Sequence, residues 1–478
     1  MVAATLAAAG GSIHRSAPIS MSMASEIGGT QPLESRNDLV EVLSRGCKPE
    51  AAWRIGTEHE KFVFHTSDFT PVPYEGENGI GALIAGIQKD STWLPVRDRG
   101  KIIGLKCPET GAAISLEPGG QFELSGAPLE TIHQTCSETN EHLKMVRSVA
   151  EPLGIGFLGL GVAPTWAQKD MPRMPKSRYA IMEPYMEAKG SLGTSMMFRS
   201  CTVQANLDFS DENDMVKKMR VGLALQPVCT ALFANSPFLD GKPNGYLSYR
   251  SHIWEDTDPD RTGMLPFAFE DGMGFERYVD YALDVPMYFV RRDGAYINVA
   301  GESFKDFLAG KLPQLRGEKP LTGDWEDHLS TIFPEVRLKQ FLEVRGADGG
   351  PWQEICALPA LWTGLYYDAS ALDAAWDLVK GWTKDQRAQL RHDVPTLALK
   401  AEIGGRAVRE IAADVLGIAR AGLTARARRN WEDADETVFL APLEETVRTG
   451  KTRAERLLEL YHGAWGGDLT PIFENAAY

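Results

Sequence analysis

Arg54-Ile55-Gly56-Thr57-Glu58-His59-Glu60-Lys61-Phe62 is the stretch on which the fold turns. Read as a strand, it places Glu58 and Glu60 on one face, about 6.6 Å apart along the chain. At an effective dielectric near 20, two such charges repel by about 2.5 kcal/mol. A cation between them reverses the sign of that interaction. Acid-bearing segments of the same kind recur downstream, so the reading is a ligand-bearing sheet face that holds Mg2+ and a nucleotide, not a solvent-facing edge.

Working outward, Asp38 to Arg45 reads as a short helix before a strand from Trp53 to His65. Ala113 to Leu124 carries Glu117 and Glu123 on two short alternating runs joined by Pro118-Gly119-Gly120, the chemistry of a hairpin or sharp bend. A helix is expected from about Leu129 to Glu151, with Ile132, Cys136, Leu143 and Val146 on its inner face. Cys201 to Phe209 alternates without error, so Thr202, Gln204, Asn206 and Asp208 share one face. Ser210 should cap a helix toward Asn235, interrupted at Pro227. Phe341 to Arg345 sets Glu343 beside Arg345, and from about Ser370 the chain reads as mostly helical. Early strands and late helices make this an α+β protein. One mainly antiparallel sheet, polar on its concave face and backed by helices, is the economical architecture.

Composition limits the function. A net charge of -15 argues against nucleic acid or an anionic membrane as partner. The apolar run from Pro152 to Ala163 is too short and glycine-rich to span a bilayer, and reads as a buried strand. Six scattered cysteines without CxxC spacing suit a reducing cytoplasm better than a disulfide scaffold. Residues 1–35 read as a flexible tail, too poor in Arg for a typical transit peptide, and 36–478 as one domain.

Any single alternating strand is usually a half-wet sheet face, but Glu58, Glu60, Glu117, Glu123 and Glu343 together crowd more acid than such faces tolerate. With Gln204 and Asn206 they form an oxygen-only set, suited to Mg2+ or Mn2+ and not to Zn2+. Arg199, Arg250, Arg261 and Arg345 offer forks for a carboxylate or a polyphosphate, although a surface ion pair is the commoner fate of any one arginine. Gly450-Lys451-Thr452 only resembles the end of a phosphate loop, and Thr452 reads better as a helix cap. No cysteine has a recognisable acid-base partner, and His59 and His252 lack zinc spacing.

The segments Arg54 to Phe62, Ser115 to Leu129, Gly190 to Phe209, Phe233 to Phe238, Arg250 to Trp254, Asp258 to Met264, Phe333 to Arg337 and Val344 to Pro351 strongly resemble the plant-type glutamate-cysteine ligases shared by plants and proteobacteria. The likeness runs from about Gly46 to Tyr478. It implies a glutamine-synthetase-like catalytic domain and the first step of glutathione synthesis, in which glutamate, ATP and cysteine give γ-glutamylcysteine through γ-glutamyl phosphate. It also implies two or more Mg2+ ions on Glu58, Glu60, Glu117, Glu123, Gln204 and Glu343. Arg345 and Glu60 would be catalytic, and Arg199, Arg250, Trp254, Asn206 and Arg261 would bind substrate. A monomer or homodimer in a bacterial cytoplasm is expected. Plant members carry a cysteine where Gln314 stands here, able to pair with the one matching Cys356, and no cysteine follows Cys356; plant-style thiol switching is therefore expected to be absent. The rival readings are a ligase with another amine acceptor, a guanidino kinase, and a non-enzymatic Mg2+ or nucleotide binder.

Overall fold

The computed structural model describes residues 29–478. At its centre is the strand expected from the opening motif, β1 (Ile55–His65), buried along nearly its whole length. The other strands that shape the site are β2 (Leu94–Asp98), β3 (Lys101–Lys106), β4 (Ala113–Leu116), β5 (Phe122–Ser125), β6 (Ile155–Leu158), β7 (Thr202–Leu207), β8 (Phe289–Arg292), β9 (Ala295–Asn298), β10 (Val336–Leu338) and β11 (Leu342–Asp348). All but β8 and β9 form one nine-stranded sheet in the order β10-β11-β7-β1-β5-β4-β3-β2, with β6 paired to the second half of β1. Every pairing in it is antiparallel. β8 and β9 make a separate hairpin.

Register gathers the acids. Glu60 stands opposite Glu123, and Glu58 opposite Ser125 on one side and Gln204 on the other. Asn206 in turn faces Glu343 across β7 and β11. Like charges directly opposed destabilise a sheet unless something between them compensates. The alternate residues Val203, Ala205, Leu207, Leu342 and Val344 face the other way, into a core shared with the helices Glu212–Leu232 and Trp352–Tyr366. The register of β11 slips between Val344 and Ala347, at Arg345-Gly346. Such a bulge re-aims a side chain. It also needs its glycine, since a Cβ on Gly346 would lie 2.2 Å from the Gln226 amide nitrogen.

Several expectations are corrected. Gly29 to Ser35 are docked and not free, for Leu33 is buried and its N–H bonds Pro320 O at 2.9 Å. The rest of the expected tail lies outside the described residues. The helix after Ser210 is capped by Asp211, and it runs through Pro227 without interruption. Burial of every side chain from Val221 to Leu232 offsets the roughly 3 kcal/mol that an interior proline costs. Cys136 and Cys356 form a disulfide, with Cα atoms 5.7 Å apart, and Cys47, Cys107, Cys201 and Cys229 stay free. The helices Ile132–Ala150 and Trp352–Tyr366 pack side by side, a neighbourhood that no local spacing in the sequence announces. Among the described residues no helix is long and apolar enough to cross a membrane.

Candidate active site

The polar face of the sheet floors a cavity of about 870 Å3, and a smaller cavity of about 110 Å3 adjoins it. Glu60, Glu117, Arg178, Phe333 and Arg345 line both, so they form the wall or doorway between two chambers. The tips of the β2–β3 and β8–β9 hairpins, at Arg97 to Arg99 and Asp293 to Tyr296, frame the large chamber.

Four of the expected carboxylates, Glu58, Glu60, Glu117 and Glu123, line the large chamber with Gln204. Glu58 accepts hydrogen bonds from Asn206 Nδ2 at 2.7 Å and Gln204 Nε2 at 3.3 Å. Glu60 accepts one from the Thr202 N–H at 3.0 Å, and Glu123 one each from the Ser115 and Ser125 hydroxyls at 2.8 Å. Burial, then Glu343 and Glu123, pushes the Glu58 carboxyl up to about 8. Burial and the neighbouring acids Glu117 and Glu123 raise Glu60 as well, and burial and Glu117 raise Glu123. Protein groups alone therefore leave these acids short of compensating positive charge.

That deficit, together with the Gln204 carbonyl oxygen, buried without a hydrogen-bond partner, fits an oxygen-loving divalent cation. Among the described residues no three His, Cys, Asp or Glu side chains converge as a ready-made cage. Mg2+ is ordinarily bound in this way, through one or two carboxylates with water and substrate phosphates completing the shell.

Glu343 is compensated differently. It lies fully buried beneath the floor, with Arg337 at 2.7 Å, Arg345 at 2.9 Å and Lys339 at 3.5 Å. Burial opposes its ionisation, but Arg337, Lys339 and Arg345 outweigh it and hold the carboxyl at about 2. A cation bound to Glu343 would have to share oxygens already held by arginines.

Of the five residues expected to bind substrate, Arg250 and Trp254 line the small chamber, and Arg345, expected to be catalytic, lines both chambers. Arg250 donates to the Arg345 carbonyl at 3.0 Å, while its Nε is buried and unpartnered. The Arg345 guanidinium lies 5.3 Å from the ring centroids of both Trp254 and Phe333. The other three lie elsewhere. Asn206 is buried behind Glu58 and fixes that carboxylate. Arg199 reaches Asp240 at 2.7 Å and lines neither chamber. Arg261 is fully buried, bonded to Asp258 at 2.6 Å and to the Thr331 and Pro286 carbonyls, 3.9 Å over the Tyr288 ring. Their fork geometry serves packing, which sequence cannot separate from ligand recognition.

Sequence reasoning missed Lys176, Arg178, Arg337 and Lys339, all on the chamber walls. Lys176-Ser177-Arg178 and Arg337-Leu338-Lys339 repeat in cations the period-two spacing that singled out Glu58 and Glu60. The same test applied to positive charge would have found Arg337 and Lys339, on and beside β10, but has no hold on Lys176 and Arg178, which stand on irregular chain.

Two joined chambers suit an enzyme that activates one substrate and hands it to another, and the antiparallel scaffold places the molecule among the glutamine-synthetase-like ligases. The fold resembles that of a glutamate–cysteine ligase from Francisella tularensis solved in complex with AMP, with a TM-score of 0.50 and 12% identity over 89% of this chain and 87% of that one. A family model described as glutamate-cysteine ligase family 2 matches residues 54–475. The chain belongs to that family. It is 57% identical over 448 residues to a chloroplastic glutamate–cysteine ligase from Nicotiana tabacum, covering 94% of this chain and 84% of the relative. With the Arabidopsis thaliana counterpart it shares 56% over 449 residues, again 94% and 84% of the two chains. These relatives are named chloroplastic, which overturns the expected cytoplasmic location and points to a plastid.

Proposed function

We propose that this ligase joins the γ-carboxyl of glutamate to the amine of cysteine at the expense of ATP, giving γ-glutamylcysteine, ADP and phosphate, the first step of glutathione synthesis. The observation that carries this reading is the doorway of Glu60, Glu117, Arg178 and Arg345 between the two chambers. ATP fits the large, cation-walled chamber, with the amino acids in the small one beside Arg250 and Trp254. The γ-phosphoryl group then passes to glutamate at the doorway, and the cysteine amine displaces phosphate from γ-glutamyl phosphate.

Glu58, Glu60, Glu117, Glu123 and Gln204 would hold the divalent cations, which supply charge neutralisation to the triphosphate. Arg345, braced by Glu343, presents its free donors to charge that develops on the transferring group. Arg250, braced on the Arg345 carbonyl, offers its unpartnered Nε to a substrate carboxylate. Closure by the two hairpins would keep water from the acyl phosphate.

The test is phosphate release by purified protein with glutamate, cysteine, ATP or Mg2+ omitted in turn. Release that needs all four, in step with γ-glutamylcysteine, is the expected result. Equal release with another amine in place of cysteine would instead identify a ligase of different acceptor.

A further inference from the structure

Residues 171–178, which read Met171-Pro172-Arg173-Met174-Pro175-Lys176-Ser177-Arg178, cross the mouth of the large chamber without helix or strand. They divide it from a third cavity of about 330 Å3, and Lys176 and Ser177 line both spaces. Prolines at 172 and 175 keep this strap extended but give it no ladder of hydrogen bonds.

The strap is held by the buried Met171 and Met174, by the Arg173–Glu183 ion pair at 2.6 Å, by the helix Tyr179–Lys189 that Arg178 opens, and by a few bonds of its backbone. Its Met174 N–H donates to Pro118 O at 3.0 Å. At its other end, one oxygen of Asp98 accepts both the Ser177 N–H at 2.6 Å and the Ser177 hydroxyl at 2.5 Å. Asp98 ends β2, the edge strand of the sheet, so this double bond ties the sheet margin to the strap.

The two residues that flank Ser177 carry the charge. Lys176, buried, faces the large chamber, and Arg178 faces both chambers. Both lie over the Tyr179 ring, at 5.6 and 5.2 Å, Arg178 also donates to the Tyr179 hydroxyl at 3.5 Å, and its Nε is buried without a hydrogen-bond partner. Among the described residues neither forms an ion pair with a carboxylate within 4.0 Å. Glu117 acts on both cations, and Glu123 and Asp98 on Lys176, only beyond ion-pair distance, so anionic ligand groups are the natural further counter-charge for these buried side chains. Between the Arg173–Glu183 pair and the start of the Tyr179–Lys189 helix, Ser177 is the point at which the strap is tied to the sheet, so it bears on the direction in which the two flanking cations point.

We propose that Asp98 is a positioning residue for the ligase reaction, clamping Ser177 so that Lys176 and Arg178 present their charge to the anionic groups of the bound nucleotide. The inference rests on the ligase reading above. Asp98 borders the large chamber as well, but in this role it acts through its bonds to Ser177 and not on the ligand, which separates it from the carboxylates on the chamber floor.

Four forms of the full chain test it: wild type, Asp98→Ala, Ser177→Ala and the double variant. Loss of a charge-assisted bond of this kind corresponds to about a tenfold effect. Asp98→Ala should raise KM for ATP about tenfold with a smaller change in kcat. Ser177→Ala, which keeps the backbone bond, should lose less, and the double variant should match Asp98→Ala, since both changes break one clamp. Ser177→Thr, which keeps the hydroxyl, should restore wild-type values. Hydrogen exchange should quicken at residues 171–178 in Asp98→Ala and stay unchanged elsewhere.

Additive losses in the double variant, showing that Asp98 meets the ligand itself, would overturn the proposal. So would unaltered exchange across 171–178. If wild type lacks glutamate- and cysteine-dependent turnover, it is the ligase reading that fails, and the exchange experiment still judges the clamp.

Discussion

Glu60 has acids on two sides, with Glu123 opposite it on β5 and Glu117 nearby, and one backbone N–H and the charge of Arg250 to steady it. Replacing it with Gln keeps the volume and the Thr202 bond but removes a negative charge that the fold does not need. Glu60→Gln should therefore fold with an unchanged or raised thermal midpoint and lose Mg2+-dependent turnover; near-normal rates across a Mg2+ titration would take it out of the metal site. Arg345→Lys keeps the charge but not the planar fork that reaches Glu343 and the chamber together. A fall in kcat of about a hundredfold is expected, with a smaller change in KM, and an unchanged kcat would reject its role at the transferring group. Arg261 should behave in the opposite way. Its partner Asp258 is as buried as itself, so Arg261→Ala leaves an uncompensated charge in the core and should cost about 3 to 5 kcal/mol of stability, read as a drop in denaturation midpoint, while the folded fraction keeps its KM.

Strands carried the legible part of the site. β7 and β11 bury one face in a common core and keep the other polar, so their alternation survives in the sequence; β1, with Thr57, His59 and Lys61 buried opposite its acids, is marked instead by Glu58 and Glu60, and β4 and β5 announce their turn with Pro118-Gly119-Gly120. The lining that comes from irregular chain was not legible. Lys176 and Arg178 lie on a strap whose path is set by a side chain 79 residues earlier in the sequence, and no local period encodes that. The arginine forks were ambiguous for a related reason, because Arg261 and Arg345 look alike until burial separates packing from chamber. The β11 bulge offers a test of how tightly an element aims a side chain. Gly346→Ala would drive a methyl into the Gln226 side chain, and that buried side chain, β11 or the 212–232 helix must shift. About 1 to 3 kcal/mol of destabilisation is expected, with a kcat loss through displaced Arg345, and wild-type activity in that variant would mean that the bulge does not set the aim.

Across the whole molecule, buried histidines set the response to acid. His328 donates its Nε2–H to the Ala282 carbonyl, 2.8 Å away, and burial lowers it from 6.5 to about 4. Between those values the unfolded chain binds the proton and the folded one does not. Its contribution is therefore fully present above pH 6.5 and lost as pH falls through 4, amounting to about 3 kcal/mol. Denaturation midpoints measured from pH 7 to pH 4 should fall more steeply in wild type than in His328→Gln, and parallel slopes would refute the assignment. The central position of β1 has a consequence of a different kind, in biosynthesis. The strand that joins it at Ile55–His59 ends only at Leu207, about 150 residues later, so on the order of ten seconds or more of translation passes before that edge can close. Meanwhile the strand that carries Glu58 and Glu60 leaves the ribosome with its margin open to any neighbour. The yield of active enzyme in a cell should accordingly track chaperone supply more closely than the stability of the finished molecule does.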